Sequence, residues 1–179
     1  MVSSHSHVFW LFGLSGTGKT TQAGRLTDYL RSQQIPVLAL DGDDLRAGLC
    51  EGLGFSDSDR AENLRRAAET AKLGLHSGLC VVASFITPRE NHRQLVAGVL
   101  SPTLVSFVHV SAPLEVCRAR DIKGLYAGAK AGKIAQMTGI SSEFEVPVHA
   151  NLTLMTAQHD TEMCVAQLVA FAHRRLSPA

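Results

Sequence analysis

Short apolar runs alternate with longer segments of helical periodicity along most of the chain. The runs at 80–85 and 104–110 are hydrophobic on both faces, which is typical of strands inside a parallel sheet. Such alternation predicts a single α/β domain over 1–179, a doubly wound parallel sheet of about five strands with helices on both faces. We predict strands at Val8–Leu14, Val37–Asp41, Cys80–Phe85, Leu104–Val110 and Leu152–Thr156, and helices near 18–33, 43–50, 57–77, 88–100, 113–119 and 161–176.

The segment 121–146 does not follow this alternation. It contains Gly124, Gly128, Gly132 and Gly139 together with several lysines, and it follows the fourth predicted strand at the edge where ligands bind. A solvated surface excursion is one interpretation, but long irregular segments are uncommon in compact domains unless they have a function. We favour a mobile lid that closes over phosphates and excludes water.

A glycine-rich loop follows the first predicted strand and reads Gly13-Leu14-Ser15-Gly16-Thr17-Gly18-Lys19-Thr20. Glycines let several backbone N–H groups converge on one anion, and the helix that begins at the loop's end adds the positive end of its dipole. In this pattern the lysine contacts the outer phosphates and the last hydroxyl ligates Mg²⁺. The order of strand, loop and helix argues against a chance match, so we predict a P-loop NTPase-like fold that binds a nucleoside triphosphate.

Acidic residues follow the second predicted strand, at the same edge of the sheet as the phosphate loop. Asp43 is the best candidate for a catalytic base or a metal ligand, and Asp41 and Asp44 are the next candidates. A turn and a helix N-cap would also explain these residues. Both interpretations hold together if one aspartate caps the helix and another is catalytic.

Basic residues continue from this edge into the next predicted helix. Arg60 and Asn63 lie three positions apart and share a helix face, and an arginine fork suits phosphate or sulfate. For Arg65 and Arg66, a solvated face paired with acidic neighbours is about as well supported. Phe55, just before the helix, either stacks on a base or fills the core.

The third predicted strand ends in a segment with the pattern of a helix start. Thr87 to Glu90 reads as a capping box, with Pro88 at the first helical position. The same helix N-terminus would form a second anion site at the ligand edge.

Composition narrows the functional classes. A net charge of +1 gives no reason to expect nucleic acid or a membrane surface as partner, and no apolar run approaches the length of a membrane span. The four cysteines are scattered, which predicts free, mostly buried thiols in a reducing compartment, and the eight histidines lack the spacing of a zinc site. We therefore expect cytoplasmic residence. A homodimer is compatible with the sequence.

Together these segments resemble the adenylylsulfate kinase family, whose members phosphorylate the 3′-hydroxyl of adenosine 5′-phosphosulfate. The matching segments are GLSGTGKTT (13–21), LDGDDLRAGL (40–49), LGFSDSDRAENLRR (53–66), SFITPRE (84–90), PLEVCRARDIKGLYAGAKAG (113–132) and MTGI (137–140). This chain has Asp44 where the family usually has asparagine, Met137 where it has a phenylalanine that stacks on the substrate, and Thr87 where it has a serine that is phosphorylated in some members.

The resemblance implies roles for individual residues. ATP, with Mg²⁺, would be held by Gly13, Ser15, Gly16, Thr17, Gly18, Lys19, Thr20, Thr21 and Arg120, and the metal by Thr20 and Asp43. The acceptor would contact Asp41, Arg46, Phe55, Arg60, Asn63, Phe85, Ile86, Lys123, Gly124, Leu125 and Met137. Asp43, Lys19 and, more weakly, Thr87 would be catalytic. A kinase of another small anionic nucleotide or metabolite, and a non-catalytic nucleotide switch, remain as alternatives.

Overall fold

The computed structural model describes residues 6–122, 124–132 and 136–177, which contain five strands and seven helices. The strands are β1 (Val8–Phe12), β2 (Val37–Asp41), β3 (Cys80–Phe85), β4 (Val105–Ser111) and β5 (Leu152–Met155). The helices are α1 (Lys19–Ser32), α2 (Gly42–Arg46), α3 (Asp57–His76), α4 (Glu90–Leu100), α5 (Leu114–Arg120), α6 (Leu125–Lys130) and α7 (Thr161–Leu176). All strand pairs are parallel, in the order β2-β3-β1-β4-β5, which confirms the predicted α/β sheet.

The central strand β1 divides the core into two layers. Val8, Trp10 and Phe12 pack with apolar residues of α3 and α4, whereas Phe9 and Leu11 pack with those of α1 and α7. Every residue of β1 is fully buried, and burial of a large apolar side chain contributes about 1.5–3 kcal/mol. The strand that precedes the glycine-rich loop is thus fixed from both sides.

Several boundaries differ from the prediction. β1 ends at Phe12 because Gly13 turns the chain out of the sheet at φ 151°, and α2 is shorter than the predicted 43–50. Within the segment 121–146, helix α6 was not predicted. Its start is fixed by the Asp121 carboxylate, which accepts hydrogen bonds from the N–H groups of Tyr126 (3.0 Å) and Ala127 (2.9 Å).

The predicted capping box at the start of α4 is wrong. The helix begins at Glu90, and neither Thr87 nor the N-cap residue Arg89 caps it with a side chain. The carboxylate of Glu145, far along the chain, instead accepts the hydrogen bond of the Glu90 N–H at 2.7 Å. Thr87 has its hydroxyl in the core, where a tertiary partner outweighs the local capping preference.

The prediction of free, buried thiols is confirmed for Cys50, Cys80, Cys117 and Cys164. Burial raises the pKa of the Cys80 thiol to about 12. In the described part of the chain, no helix has the length and apolar character needed to cross a membrane.

Candidate active site

A cavity of about 570 Å³ opens at the carboxyl ends of the strands, where the sheet topology predicts a ligand. Its walls come from the glycine-rich loop and α1, the β2–α2 junction, the end of β3, and the segments that follow α5 and β5. The lining residues are 15–22, 41–43, 84–86, 120–122, 125–126, Thr156 and 159–161. The cavity thus brings together most of the predicted phosphate-binding residues, Asp41 and Asp43.

The glycine-rich loop can curl around an anion only because two of its positions lack a side chain. A Cβ atom at Gly13 would lie 2.2 Å from the Val110 carbonyl oxygen, and one at Gly16 would lie 2.9 Å from that of Cys117. Lys19 is buried at the base of the loop, and its Nζ donates to the Leu14 carbonyl at 2.7 Å. The loop therefore places a desolvated cation beside converging backbone N–H groups, which suits phosphate oxygens.

The carboxylates after β2 have separate positions. Asp41 caps α2 by accepting from the Asp43 N–H at 3.0 Å, and its other oxygen accepts from the Thr20 hydroxyl at 3.0 Å. Asp43 is exposed and lines the cavity, whereas Asp44 does not. The capping interpretation is thus confirmed for Asp41, and both Asp41 and Asp43 line the cavity.

Oxygen donors at this end of the cavity fit Mg²⁺. The Thr20 hydroxyl lies against the Asp41 carboxylate, and Asp43 lines the same cavity, which leaves space for phosphate oxygens and water to complete the shell. A cage of three or more side chains that could hold a metal is not found among the described residues. The donor set therefore suits a cation that arrives with the nucleotide.

Two residues that the sequence analysis missed join the neighbouring segments to the loop. Tyr126, on α6, donates from its hydroxyl to the Ser15 carbonyl at 2.9 Å, and burial raises its pKa to about 12, so it stays a donor at neutral pH. The Thr156 hydroxyl donates to the Thr17 carbonyl at 2.9 Å. Arg120 donates to the Thr156 carbonyl at 2.7 Å and lines the cavity, and its predicted contact with the nucleotide stays a prediction.

A second, basic cluster lies around Phe55, which is half exposed at 51% and so does not fill the core. The guanidinium of Arg46 lies 4.4 Å from the centre of its ring, and that of Arg60 lies 5.4 Å from it. Arg46 donates to the carbonyls of Leu53 and Gly54. Arg60 donates to those of Phe55 and Gln136.

The electrostatics of this basic cluster favour an anion. Burial lowers the pKa of both arginines, and for Arg60 the positive charge of Arg46 lowers it further. Within the described residues neither guanidinium forms an ion pair with a carboxylate. On the same helix as Arg60, the buried Asn63 Nδ2 has no hydrogen-bond partner in that part of the chain. Two positive charges and a spare donor are therefore available to a ligand.

Arg65 and Arg66 are not part of this cluster. They form ion pairs with Glu62 at 2.7 Å and 2.8 Å, and their hydrogen bonds lower the pKa of that carboxyl to about 2. The interpretation as a solvated helix face is confirmed for these two arginines.

Only some of the remaining predicted residues line the cavity. Phe85, Ile86 and Leu125 line it, and Gly124 takes a left-handed conformation at the start of α6. Met137 is buried in a small apolar cluster with Ala112, Cys117 and Tyr126. Lys123 lies outside the described residues.

Comparisons with known proteins point to one family. The family model described as adenylylsulphate kinase matches residues 5–155. The adenylyl-sulfate kinase of Shewanella amazonensis is 46% identical over 164 residues, which cover 92% of this chain and 83% of that protein. The one from Bacteroides thetaiotaomicron is 44% identical over 169 residues, covering 94% and 84%.

A solved structure gives the same result for the fold. The APS kinase of Mycobacterium tuberculosis, in complex with AMPPNP and APS, superposes with a TM-score of 0.88 at 38% identity, over 93% of this chain and 96% of that one. The family model covers most of the chain, and both relatives are well above the identity at which families diverge in fold. The chain belongs to the adenylylsulfate kinase family of ATP-dependent kinases.

Proposed function

We propose that the chain transfers the γ-phosphoryl group of ATP to the 3′-hydroxyl of adenosine 5′-phosphosulfate. The observation that carries the proposal is that one cavity brings Asp43 together with Lys19 and the glycine-rich loop. A phosphate donor held by the loop would have its outer phosphate next to that carboxylate, as in-line transfer requires. The identity of the acceptor is inferred from membership in the adenylylsulfate kinase family.

In the proposed transfer, the 3′-oxygen of the acceptor forms a bond to the γ-phosphorus while the bond from that phosphorus to the β,γ-bridging oxygen breaks. Asp43 orients the hydroxyl and accepts its proton. Lys19 and the loop N–H groups stabilise the negative charge that develops on the leaving phosphate. Bound Mg²⁺ would neutralise phosphate charge, with Thr20 and the neighbouring Asp41 and Asp43 as its protein-side oxygen donors. Thr87 is buried, and its hydroxyl accepts a hydrogen bond from Trp10. Its predicted catalytic role stays a prediction.

The basic cluster is the proposed seat of the phosphosulfate group. Arg46 and Arg60 supply guanidinium donors, and the half-exposed ring of Phe55 offers a face for the adenine. Asn63 supplies a side-chain N–H group (Nδ2) that has no hydrogen-bond partner among the described residues. None of these four residues lines the cavity described above, but α2 carries Asp43 near its start and Arg46 at its end. We infer that the acceptor extends along α2 from the arginines to the cavity. Lys123, Gly124, Leu125 and Met137 stay predicted contacts, as do the homodimer and cytoplasmic residence.

ADP release tests the proposal when it is measured with ATP alone and with ATP plus adenosine 5′-phosphosulfate. We expect release only with the acceptor present, and phosphate on its 3′-oxygen. ATP binding without acceptor-dependent release would favour a nucleotide switch, and turnover with other small anionic nucleotides only would favour a different kinase.

Asp43→Asn removes the carboxylate charge and keeps the shape, so we expect turnover to fall by about 100-fold or more while ATP binding stays close to that of the wild type. Asp44→Asn is the matched control, because its side chain has the same charge, lies on the same helix and does not line the cavity. Equal turnover in Asp43→Asn and the wild type would remove Asp43 from the proposed role.

A further inference from the structure

The turn that follows β3 has an unfavourable backbone conformation. Thr87 has φ 44°, in the left-handed region that a β-branched residue rarely adopts, and it is 1% exposed. Strained residues of this kind persist only where surrounding contacts hold them. Contacts with the surrounding structure must therefore hold Thr87 in this conformation.

Three contacts from other elements hold this turn. The indole N–H of Trp10, on β1, donates to the Thr87 hydroxyl at 2.8 Å. Arg93, on α4, donates to the Thr87 carbonyl at 3.3 Å, and the Glu145 N–H donates to the Pro88 carbonyl at 2.8 Å. The contact of Trp10 is the most deeply buried, since the residue is fully buried and its only side-chain donor, the indole N–H, has no access to water.

The same turn forms part of the cavity wall. The Trp10 ring stacks on the Phe85 ring with centroids 4.9 Å apart, and both Phe85 and Ile86 line the cavity. The Ile86 carbonyl accepts a hydrogen bond from the Gly13 N–H at 3.3 Å, at the entrance of the phosphate loop. A displacement of Thr87 would therefore move the wall residues that precede it.

We propose that Trp10 is a positioning residue for the acceptor: its N–H, acting through the Thr87 hydroxyl, holds the strained turn so that Phe85 and Ile86 keep their places in the cavity wall. Trp10 itself does not line the cavity. The identity of the acceptor rests on the function proposed above, whereas the hold on the turn does not depend on it.

Two substitutions remove this hydrogen bond from opposite sides. Trp10→Phe keeps an aromatic ring against Phe85 without the N–H, and Thr87→Val keeps the side-chain shape without the hydroxyl. We expect each to raise the KM for adenosine 5′-phosphosulfate by about five-fold, with the KM for ATP changed by less than about two-fold. The double variant should raise the acceptor KM no further than the more impaired of the two single variants does, because both substitutions remove the same contact.

Two further variants separate positioning from general stability. Thr87→Ser restores a hydroxyl acceptor and should return the acceptor KM to about the wild-type value. Thr27→Val is the matched control, because Thr27 is also buried and its hydroxyl has no hydrogen-bond partner among the described residues. It should leave both KM values unchanged.

Trp10 is the single tryptophan, so its emission reports on the contact directly. We expect Thr87→Val to shift the emission maximum and Thr87→Ser to leave it in place. A wild-type emission spectrum in Thr87→Val, a wild-type acceptor KM in both hydrogen-bond variants, or additive effects in the double variant would each overturn the proposal. If the wild type fails to turn over adenosine 5′-phosphosulfate, the proposed function is wrong. The tryptophan emission of the two Thr87 variants still decides whether Trp10 and the Thr87 hydroxyl are in contact.

Discussion

Acid should destabilise this protein through a histidine in the core. His109, on β4, lies between two phenylalanine rings, 5.2 Å from the centre of Phe12 and 5.9 Å from that of Phe144, with both pairs stacked. It is only 7% exposed. Burial, and secondarily the positive charge of Arg93, lowers its pKa from 6.5 to about 4. The ring is therefore neutral in the folded protein at neutral pH.

The sign of the effect follows from proton binding. Between pH 6.5 and about 4 the unfolded chain binds a proton at His109 and the folded protein does not, so acid favours unfolding in this range. The stabilisation is complete above the unfolded pKa and is lost as the pH falls towards the folded pKa. A difference from 6.5 to about 4, at about 1.36 kcal/mol per pH unit, makes the full effect about 3 kcal/mol, of which about 2 kcal/mol is lost between roughly pH 7 and pH 5.

His109→Phe isolates this contribution because it keeps a flat ring between the two phenylalanines and removes the titrating group. The free energy of unfolding is measured with urea at about pH 7 and at about pH 5. Its decrease between the two pH values should be about 2 kcal/mol smaller in the variant than in the wild type. The buried His7, whose pKa burial also lowers to about 4, contributes equally to both proteins. His76→Asn, at the exposed end of α3, is a control that should follow the wild type. A variant that loses as much stability as the wild type over this range would refute the assignment to His109.

Two further predictions concern the phosphate loop. Gly13→Ala should destabilise the protein by about 3 kcal/mol or more, because its Cβ would clash with the Val110 carbonyl. Gly18→Ala should cost only about 1–2 kcal/mol, because Gly18 lies in open space and only its φ of 92° is unfavourable for alanine. Equal urea midpoints for the two variants would contradict this prediction. Tyr126→Phe removes the hydrogen bond to the Ser15 carbonyl, so ATP titration should show binding weakened by about five-fold with the urea midpoint nearly unchanged. Unaltered ATP affinity would show that this contact does not shape the loop.

Local sequence patterns were sufficient for the sheet and the phosphate loop. The strands are apolar runs of nearly correct length, and the loop's glycines sit where backbone approach excludes a side chain, as at Gly13 and Gly16. The position of Asp43 also follows from local order, because a residue just after a parallel strand must lie at the ligand edge.

Contacts between distant segments could not be read from the sequence. The capping pattern at Thr87 was misleading because the hydroxyl accepts a hydrogen bond from Trp10, which is 77 positions away in the sequence. Helix α6 was missed because Gly128 within it weakens helical propensity, and its start depends on a carboxylate at Asp121. A lone tyrosine in a glycine-rich segment has no periodicity, so nothing marked Tyr126 as a partner of the phosphate loop.

The short helix α2 explains how one strand end can serve both halves of the proposed reaction. Asp41 begins the helix by capping it and at the same time accepts from Thr20, so the helix start is tied to the phosphate loop. One turn is enough to place Asp43 at the cavity and Arg46 against the Phe55 ring, because residues three positions apart lie on adjacent parts of a helix surface. The Asp43 carboxylate and the Arg46 guanidinium are therefore carried on one short rigid element. A rigid element of this length suits a reaction in which the acceptor's charged group and its hydroxyl must be held at the same time.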